Sequence, residues 1–332
     1  MKLEKIINEI EKIFPTKTAE EFDNIGLLLG KTDVECNKAL VCHDVTDEIV
    51  DEALKNKCQL IISYHPLIFK SLKKINYEDR IGRIITKMIE NKLSLYSIHT
   101  SFDNLKNGLN FDLGRILNLQ NQKKLIPKKN SLMKLTSYVP NGYLDIVLNS
   151  LYEAGAGEIG NYSNCSFSAK GEGRYLGSKE SNPKFGNKEE LTKTSEILIN
   201  LIFPSHRKKK IIESLINSHP YESVAYEITN IENKNPDLGL GSIGVLPISM
   251  TGKKFLEYVK NKLPISVIRH SGFTKNKIKI VSVLAGSGAF AIDSAINNKA
   301  DAFITGDLKY HDFFKSDNKI LLVDAGHFET EF

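Results

Sequence analysis

Three apolar runs in this chain end abruptly in groups that can hold a cation. "QLIISY" (59–64) runs into His65 and Pro66, "LSLYSIH" (93–99) is followed by Asp103, and "KILLVDAG" (319–326) is followed by His327. In open α/β sheets ligands bind beyond the carboxyl ends of the strands, so groups distant in sequence can meet there. Pro66 fixes its own φ near ~−65° and stops the strand just as the His65 imidazole reaches that edge. Glu331 stands four residues after His327 in "GHFETE", and the two share a face if a helix begins there. Two imidazoles and two carboxylates suit a borderline or hard divalent ion such as Zn²⁺, Mn²⁺ or Fe²⁺. Carboxylates can bridge, so the set could hold two ions and activate a water for hydrolysis, its pKa lowered toward ~7.

Each residue also has an ordinary use. A histidine beside proline can be a hydrogen-bonded core residue, Asp103 a turn or helix-capping residue, and Glu331, one residue from the C-terminus, a side chain that frays. Only their joint placement at strand ends argues for a site. Further candidates surround it. His99 ends the strand before Asp103. "GDLKYHDFF" (306–314) sets Asp307 and His311 four apart, as an acid/base pair or as a capped helix with a surface histidine. His99, or Asp307 with His311, could shuttle protons. Asp44 ends the first strand, and "FDNIGLLLG" (22–30) offers Asp23 and Asn24 in a turn. "LAGSGAF" (284–290) has the look of a phosphate-cradling turn but lacks the Lys-Ser/Thr of a P-loop and a full GxGxxG. "SHPYESVAYEI" (218–228) carries His219 and Glu222, for which folding or an interface comes first. No GxSxG supports a nucleophilic serine.

The elements that must position these groups alternate. "KALVCHD" (38–44) and the two runs before His65 and Asp103 read as strands, separated by helices at 46–57, with Thr46 as N-cap, and at 78–92. A further helix is expected at 107–118. Apolar strands between amphipathic helices predict βαβ units and a mostly parallel sheet covered on both faces. "QNQKKLIPKKN" (120–130) reads as a linker. The next region reads β-α-β-β-α-β, the order of a ferredoxin-like domain, with strands at 131–140, 196–204 and 224–231. "NKNPDLGLGS" (233–242) reads as a second linker, after which the α/β pattern returns. The expected fold is an α/β core, residues 1–126 and 234–332, interrupted by an inserted α+β domain, 127–233.

Composition narrows the class. The 332 residues are 41% hydrophobic and 26% charged, as in globular chains, and long enough for two domains. No stretch approaches the ~20 apolar residues of a membrane span. "MKLEKIINEIEKIF" reads as an amphipathic helix rather than a signal peptide, which makes the cytoplasm the expected location. Four scattered cysteines without CxxC spacing argue against a disulfide framework or a zinc ribbon. A net charge of +5 with no Trp gives nucleic acid little to hold, so it is not expected as a partner.

Taken together, "FDNIGLLLG", "YHPLIF", "IHTSFDN", "HPYESVAYEI", "LAGSGAF", "GDLKYHDFF" and "GHFETE" resemble, in order and over nearly the whole chain, the NIF-three-like family. Its members are also described as GTP cyclohydrolase 1 type 2 homologs or dinuclear-metal-centre proteins. The resemblance implies an α/β core with two divalent ions per subunit and an inserted domain similar to PII and CutA proteins. It also implies a toroidal homohexamer whose metal sites face an internal cavity. The family's ligands carry over onto His65, Asp103, His327 and Glu331. Two features depart from the pattern: Tyr64 stands where the family usually has the first histidine of His-His-Pro, and the chain stops at Phe332 where the family usually continues. The implied function is metal-dependent hydrolysis of a small molecule, a nucleotide or related heterocycle. The alternative is a non-catalytic metal-binding assembly or regulatory protein whose inserted domain senses a ligand.

Overall fold

The structure, a computed structural model, describes residues 1–273 and 277–331; Phe332 lies outside them. The chain forms two compact units, Met1–Ile126 with Asp237–Phe332, and Pro127–Pro236.

In the first unit the expected mostly parallel sheet is divided into two sheets, each parallel at its centre. Ala39–Cys42, Leu60–Ser63 and Ser94–Ser97 run parallel, and Gly26–Leu29 closes one edge antiparallel to Ser94–Ser97. Helix Asp47–Lys55 starts where the Thr46 side chain accepts the Ile49 amide, and helix Arg80–Glu90 where Asp79 accepts the Gly82 amide. Val50, Ala53, Ile84, Ile85 and Met88 on these helices pack with Ile61 and Leu95. Leu3 and Ile7 of the N-terminal helix Leu3–Ile13 pack with Leu60 and Tyr96 on the other face. Adjacent strand residues point to opposite faces, so both faces of this sheet are covered, as continuous apolar strands require.

The second sheet has Ile278–Ser287, Ala302–Gly306 and Leu321–Asp324 in parallel at its centre. Arg269–His270 is antiparallel at one edge, and Asn235–Met250 pairs antiparallel with Ile278–Ser287 on the other side. Gln120–Lys128 forms the edge beyond that. Phe255 and Val259 pack on Val281, Val283, Ile304 and Val323, while Ile292 and Ala295 pack on Phe303 and Leu322. Both segments read as linkers are therefore corrected: 120–130 is largely the edge strand, and 233–242 opens the strand Asn235–Met250. An edge strand needs only part of its length buried, and lysines protect its free side from pairing. Here Lys124 and Leu125 are the buried residues.

The second unit has the strand and helix order Leu132–Pro140, Leu144–Glu153, Phe167–Leu176, Leu191–Pro204, Lys208–Ser218 and Tyr226–Ile231. Its sheet is antiparallel throughout, ordered 167–176, 191–204, 132–140, 226–231. Val147, Leu151, Ile211 and Leu215 of the two helices pack on Leu135, Val139, Ile199, Leu201 and Phe203.

Candidate metal centre

The ladder of the first sheet runs on past its strands. The Tyr64 and His65 amides donate to the carbonyls of Cys42 and His43, both at 3.0 Å, and the His99 amide to the Tyr64 carbonyl at 3.0 Å. These bonds fix His43, Tyr64, His65 and His99 side by side at one sheet edge. The second sheet brings its own strand ends to the same place. After Leu321–Asp324 the chain turns at Gly326 and enters the short helix His327–Glu331. Thr330 anchors that helix, donating to the Gly326 and His327 carbonyls at 2.9 and 2.8 Å and accepting the Gly286 amide at 2.9 Å.

Glu331 is the meeting point. Its side chain is only 4% exposed. Its Oε2 lies 3.1 Å from His43 Nε2 and 3.4 Å from His65 Nε2, and its Oε1 lies 3.3 Å from His327 Nε2. Three imidazoles from three strand ends thus face one buried carboxylate. Two of them are held from behind: His65 Nδ1 lies 3.0 Å from Asp44 Oδ1 and His327 Nδ1 lies 2.6 Å from Asp307 Oδ2. Carboxylates that fix the far nitrogen of a ligating histidine are the usual outer support of a metal site. His99 has the same support, its Nδ1 lying 2.8 Å from Asp23 Oδ1. The other Asp23 oxygen accepts both the amide and the hydroxyl of Thr100. The His65 ring is 4.7 Å from that of His43, 5.2 Å from His99 and 5.5 Å from His327.

Asp103 closes the short helix His99–Asp103, beyond the strand rather than at its tip. Its Oδ1 accepts the Tyr64 hydroxyl at 2.7 Å. Lys124 donates to the Leu105 and Asp103 carbonyls at 2.7 and 3.3 Å, holding the turn after that helix.

The electrostatics suit a cation. Burial alone would lift the Glu331 carboxyl, but hydrogen bonds and charge from His327 and His65 hold it down at about 2. The Glu331 hydrogen bond, with Asp307 behind, raises His327 to about 9 against burial. Burial lifts the Asp103 carboxyl to about 7, although the Tyr64 hydroxyl and the His99 charge pull it back. Burial and the Asp103 charge push the Tyr64 phenol well above its ordinary value. A buried carboxylate needs compensating positive charge, which here comes either from protonated imidazoles or from a metal on the same nitrogens.

The pH dependence of any such cation follows from these shifts. The groups must be deprotonated to donate, so protons held to about 9 on His327 and about 7 on Asp103 compete with the metal. Affinity is expected to rise across this range, and binding at neutral pH to release protons. Calorimetric titration in two buffers of different ionisation enthalpy checks this; a flat profile with no proton release contradicts it.

The structure brings His65, His327 and Glu331 together, with Asp103 joined to them through Tyr64. It does not pair Asp307 with His311: Asp307 serves His327, while His311 is exposed with its ring against Tyr310 and Phe314. His43 is the residue sequence reasoning misses. It stands beside Asp44 at a strand end, but only the strand register shows that it is the cross-strand neighbour of Tyr64. The glycines of "LAGSGAF" have a packing reason. Gly286 sits at φ +66°, and a Cβ there would meet Glu331 Oε1 at 2.3 Å, so the turn makes room for the carboxylate.

Residues 1–332 match the family model Duf34/NIF3 (NGG1p interacting factor 3). The chain belongs to this family. It is 37% identical over 329 residues to the GTP cyclohydrolase 1 type 2 homolog of Bacillus subtilis, covering 98% of this chain and 88% of that one. Among solved structures of the family fold, a Bacillus cereus protein related to NIF3 matches with TM-score 0.87 and 36% identity, over 99% of this chain and 89% of its own. A Staphylococcus aureus protein matches with TM-score 0.74 and 28% identity, over 99% of this chain and 88% of its own. Among the described residues no helix is long and apolar enough to cross a membrane.

Proposed function

We propose that this chain is a divalent-metal protein whose centre hydrolyses a nucleotide or related heterocycle. The observation that carries the reading is the buried Glu331, whose two oxygens face different imidazoles: Oε2 faces His43 and His65, and Oε1 faces His327. A carboxylate presented in this way can bridge two ions, and His65, Asp103, His327 and Glu331 would hold them. Two divalent ions would supply Lewis acidity and an activated water. Asp44 and Asp307 orient His65 and His327. His99, fixed by Asp23 and 5.2 Å from the His65 ring, is placed to carry a proton. His311, exposed and away from these contacts, is left without a part in this reading. The name of the Bacillus subtilis relative makes GTP the first substrate to test.

Asp103→Ala is expected to lose both metal, by elemental analysis, and turnover in a screen of nucleotides. Activity that survives the substitution sinks the hydrolase reading.

A second reading is a metal-binding assembly that senses a small molecule without turnover. It draws support from the second unit, a four-stranded antiparallel sheet with two helices in β-α-β-β-α-β succession. That unit contains a cavity of about 580 Å³, within the usual range for small-molecule sites. Tyr138, Tyr175, Tyr221 and the buried Glu196 line it. Glu196 accepts the Tyr221 hydroxyl at 2.7 Å and the Thr194 hydroxyl at 2.9 Å. A compound bound but not hydrolysed, released by Glu196→Gln and retained by Asp103→Ala, selects this reading. The homohexamer implied by the family resemblance belongs to both.

A further inference from the structure

We propose that His43 is itself a metal ligand, filling from the neighbouring strand the position that Tyr64 cannot fill. The inference rests on the metal-centre reading and goes beyond the four ligands carried over by resemblance.

Tyr64 immediately precedes His65 and its ring lies among the histidines, 5.0 Å from His43 and 5.4 Å from His99. Its hydroxyl, however, is engaged as a donor to Asp103 at 2.7 Å. The proton on that oxygen is occupied in supporting a carboxylate, and a protonated phenol is a poor metal donor. One coordination position beside His65 is thereby left to another side chain.

The strand register shows which one. Ala39–Cys42 and Leu60–Ser63 pair in parallel with Cys42 opposite Ser63, and the His65 amide donates to the His43 carbonyl at 3.0 Å. His43 is thus the cross-strand neighbour of Tyr64, and side chains at such paired positions emerge on the same face. The rings confirm the shared layer, stacking with an interplanar angle of 26°. An imidazole at 43 therefore reaches the space that one at 64 would serve. It does so with the appropriate atom: His43 Nε2 lies 3.1 Å from Glu331 Oε2, the same oxygen that His65 Nε2 faces at 3.4 Å. Nitrogens of His43 and His65, with an oxygen of Asp44, lie within 4.8 Å of one another. The Nε2 atoms of His43 and His65, with the Glu331 oxygen both face, can close on one divalent ion with small side-chain adjustments, while Asp44 supports His65 from its Nδ1 side. Phe328 packs edge-on against the His43 ring at 5.6 Å and limits its alternatives.

The bland account is a histidine that only hydrogen-bonds Glu331. The two accounts separate in metal binding by four forms of the full chain: wild type, His43→Leu, Tyr64→His, and the double substitution. Each is stripped, reloaded with Zn²⁺ or Co²⁺, and measured for equivalents bound, affinity and the Co²⁺ absorption spectrum, with thermal unfolding of the metal-free forms as the folding control. Loss of an outer-shell partner typically costs about 10–100-fold in affinity, so loss of a ligand should weaken one equivalent by at least about 10-fold. His43→Leu is expected to show that loss with a changed Co²⁺ spectrum. Tyr64→His alone should add no equivalent, because the position is already filled. The double substitution should regain the lost equivalent, which a merely structural His43 would not allow. The proposal is overturned if His43→Leu binds as wild type does, if Tyr64→His alone gains an equivalent, or if the double form stays as weak as His43→Leu. Wild type that binds no metal at all would overturn the metal centre itself, a result distinct from these three.

Discussion

Glu331→Gln is expected to empty the metal centre while leaving the fold in place. Glutamine keeps the length and the hydrogen-bonding shape of the side chain, and removes its charge. Among the described residues Glu331 is the group that faces His43, His65 and His327 together. Both candidate ion positions would therefore lose a donor at once, and affinity should fall by at least about 100-fold, the upper end of outer-shell losses. Elemental analysis should go from up to two equivalents to near none. The short helix should persist, because Thr330 rather than Glu331 anchors it to Gly286 and Gly326. In the metal-free variant the His327 proton should also leave at lower pH, since its first support is the Glu331 hydrogen bond. A histidine NMR titration reads that directly. Retention of two equivalents would mean that the centre is not built around this carboxylate.

Gly306→Ala should damage the same centre without touching a candidate ligand. A Cβ at this position would lie 2.8 Å from the backbone nitrogen and Cα of His327 and 2.9 Å from the Gly326 carbonyl carbon. These are main-chain atoms, so no side-chain rotation relieves the clash. Gly306 ends the buried strand Ala302–Gly306, and the Ala325 amide donates to the neighbouring Thr305 carbonyl at 2.8 Å. Overpacking of this kind typically costs about 1–3 kcal/mol. The turn carrying His327 has to shift, so the position on Glu331 Oε1 should weaken more than the one on Oε2. Urea unfolding and metal titration measure the two effects. Gly142→Ala is the control: nothing lies within 4 Å of its added methyl, and stability should stay within about 0.5 kcal/mol.

Much of the site is legible in the sequence because it obeys a local rule. His65 and His327 follow apolar runs that become strands, and the four-residue spacing of His327 and Glu331 needs only one turn of helix. What is not legible is lateral. No single-sequence pattern says that Ala39–Cys42 lies beside Leu60–Ser63 in a given register, so His43 passes as an ordinary residue beside Asp44. For the same reason Asp44 stands out as a strand-end acid, Asp23 as a turn residue and Asp307 as a partner for His311, while the histidine each one orients becomes visible only in three dimensions. Two strands of the second sheet are hidden by composition. Gln120–Lys128 is rich in lysine and contains Pro127, and Asn235–Met250 begins in a segment of Asn, Pro and Gly. Both carry residues that mark loops: Gln120–Lys128 is an edge, one side of which has no partner to satisfy, and Asn235–Met250 carries its loop-forming residues at its start. "LAGSGAF" shows the opposite error, a turn with the glycines of an anion cradle whose first task is to leave room for Glu331.

The division of the first unit into two sheets bears on the protein's assembly in time. The centre's residues come from both sheets: His43, His65 and Asp103 from the early one, His327 and Glu331 from the late one. An ion held between His65 and Glu331 would be a reversible cross-link, closing a loop that spans most of the chain. Such a closure restricts the unfolded ensemble far more than one between neighbours. It also cannot form on a nascent chain until the late segment has left the ribosome. Metal would then act as a latch set last, and a chelator would reopen that last-formed seam before it disturbed either sheet.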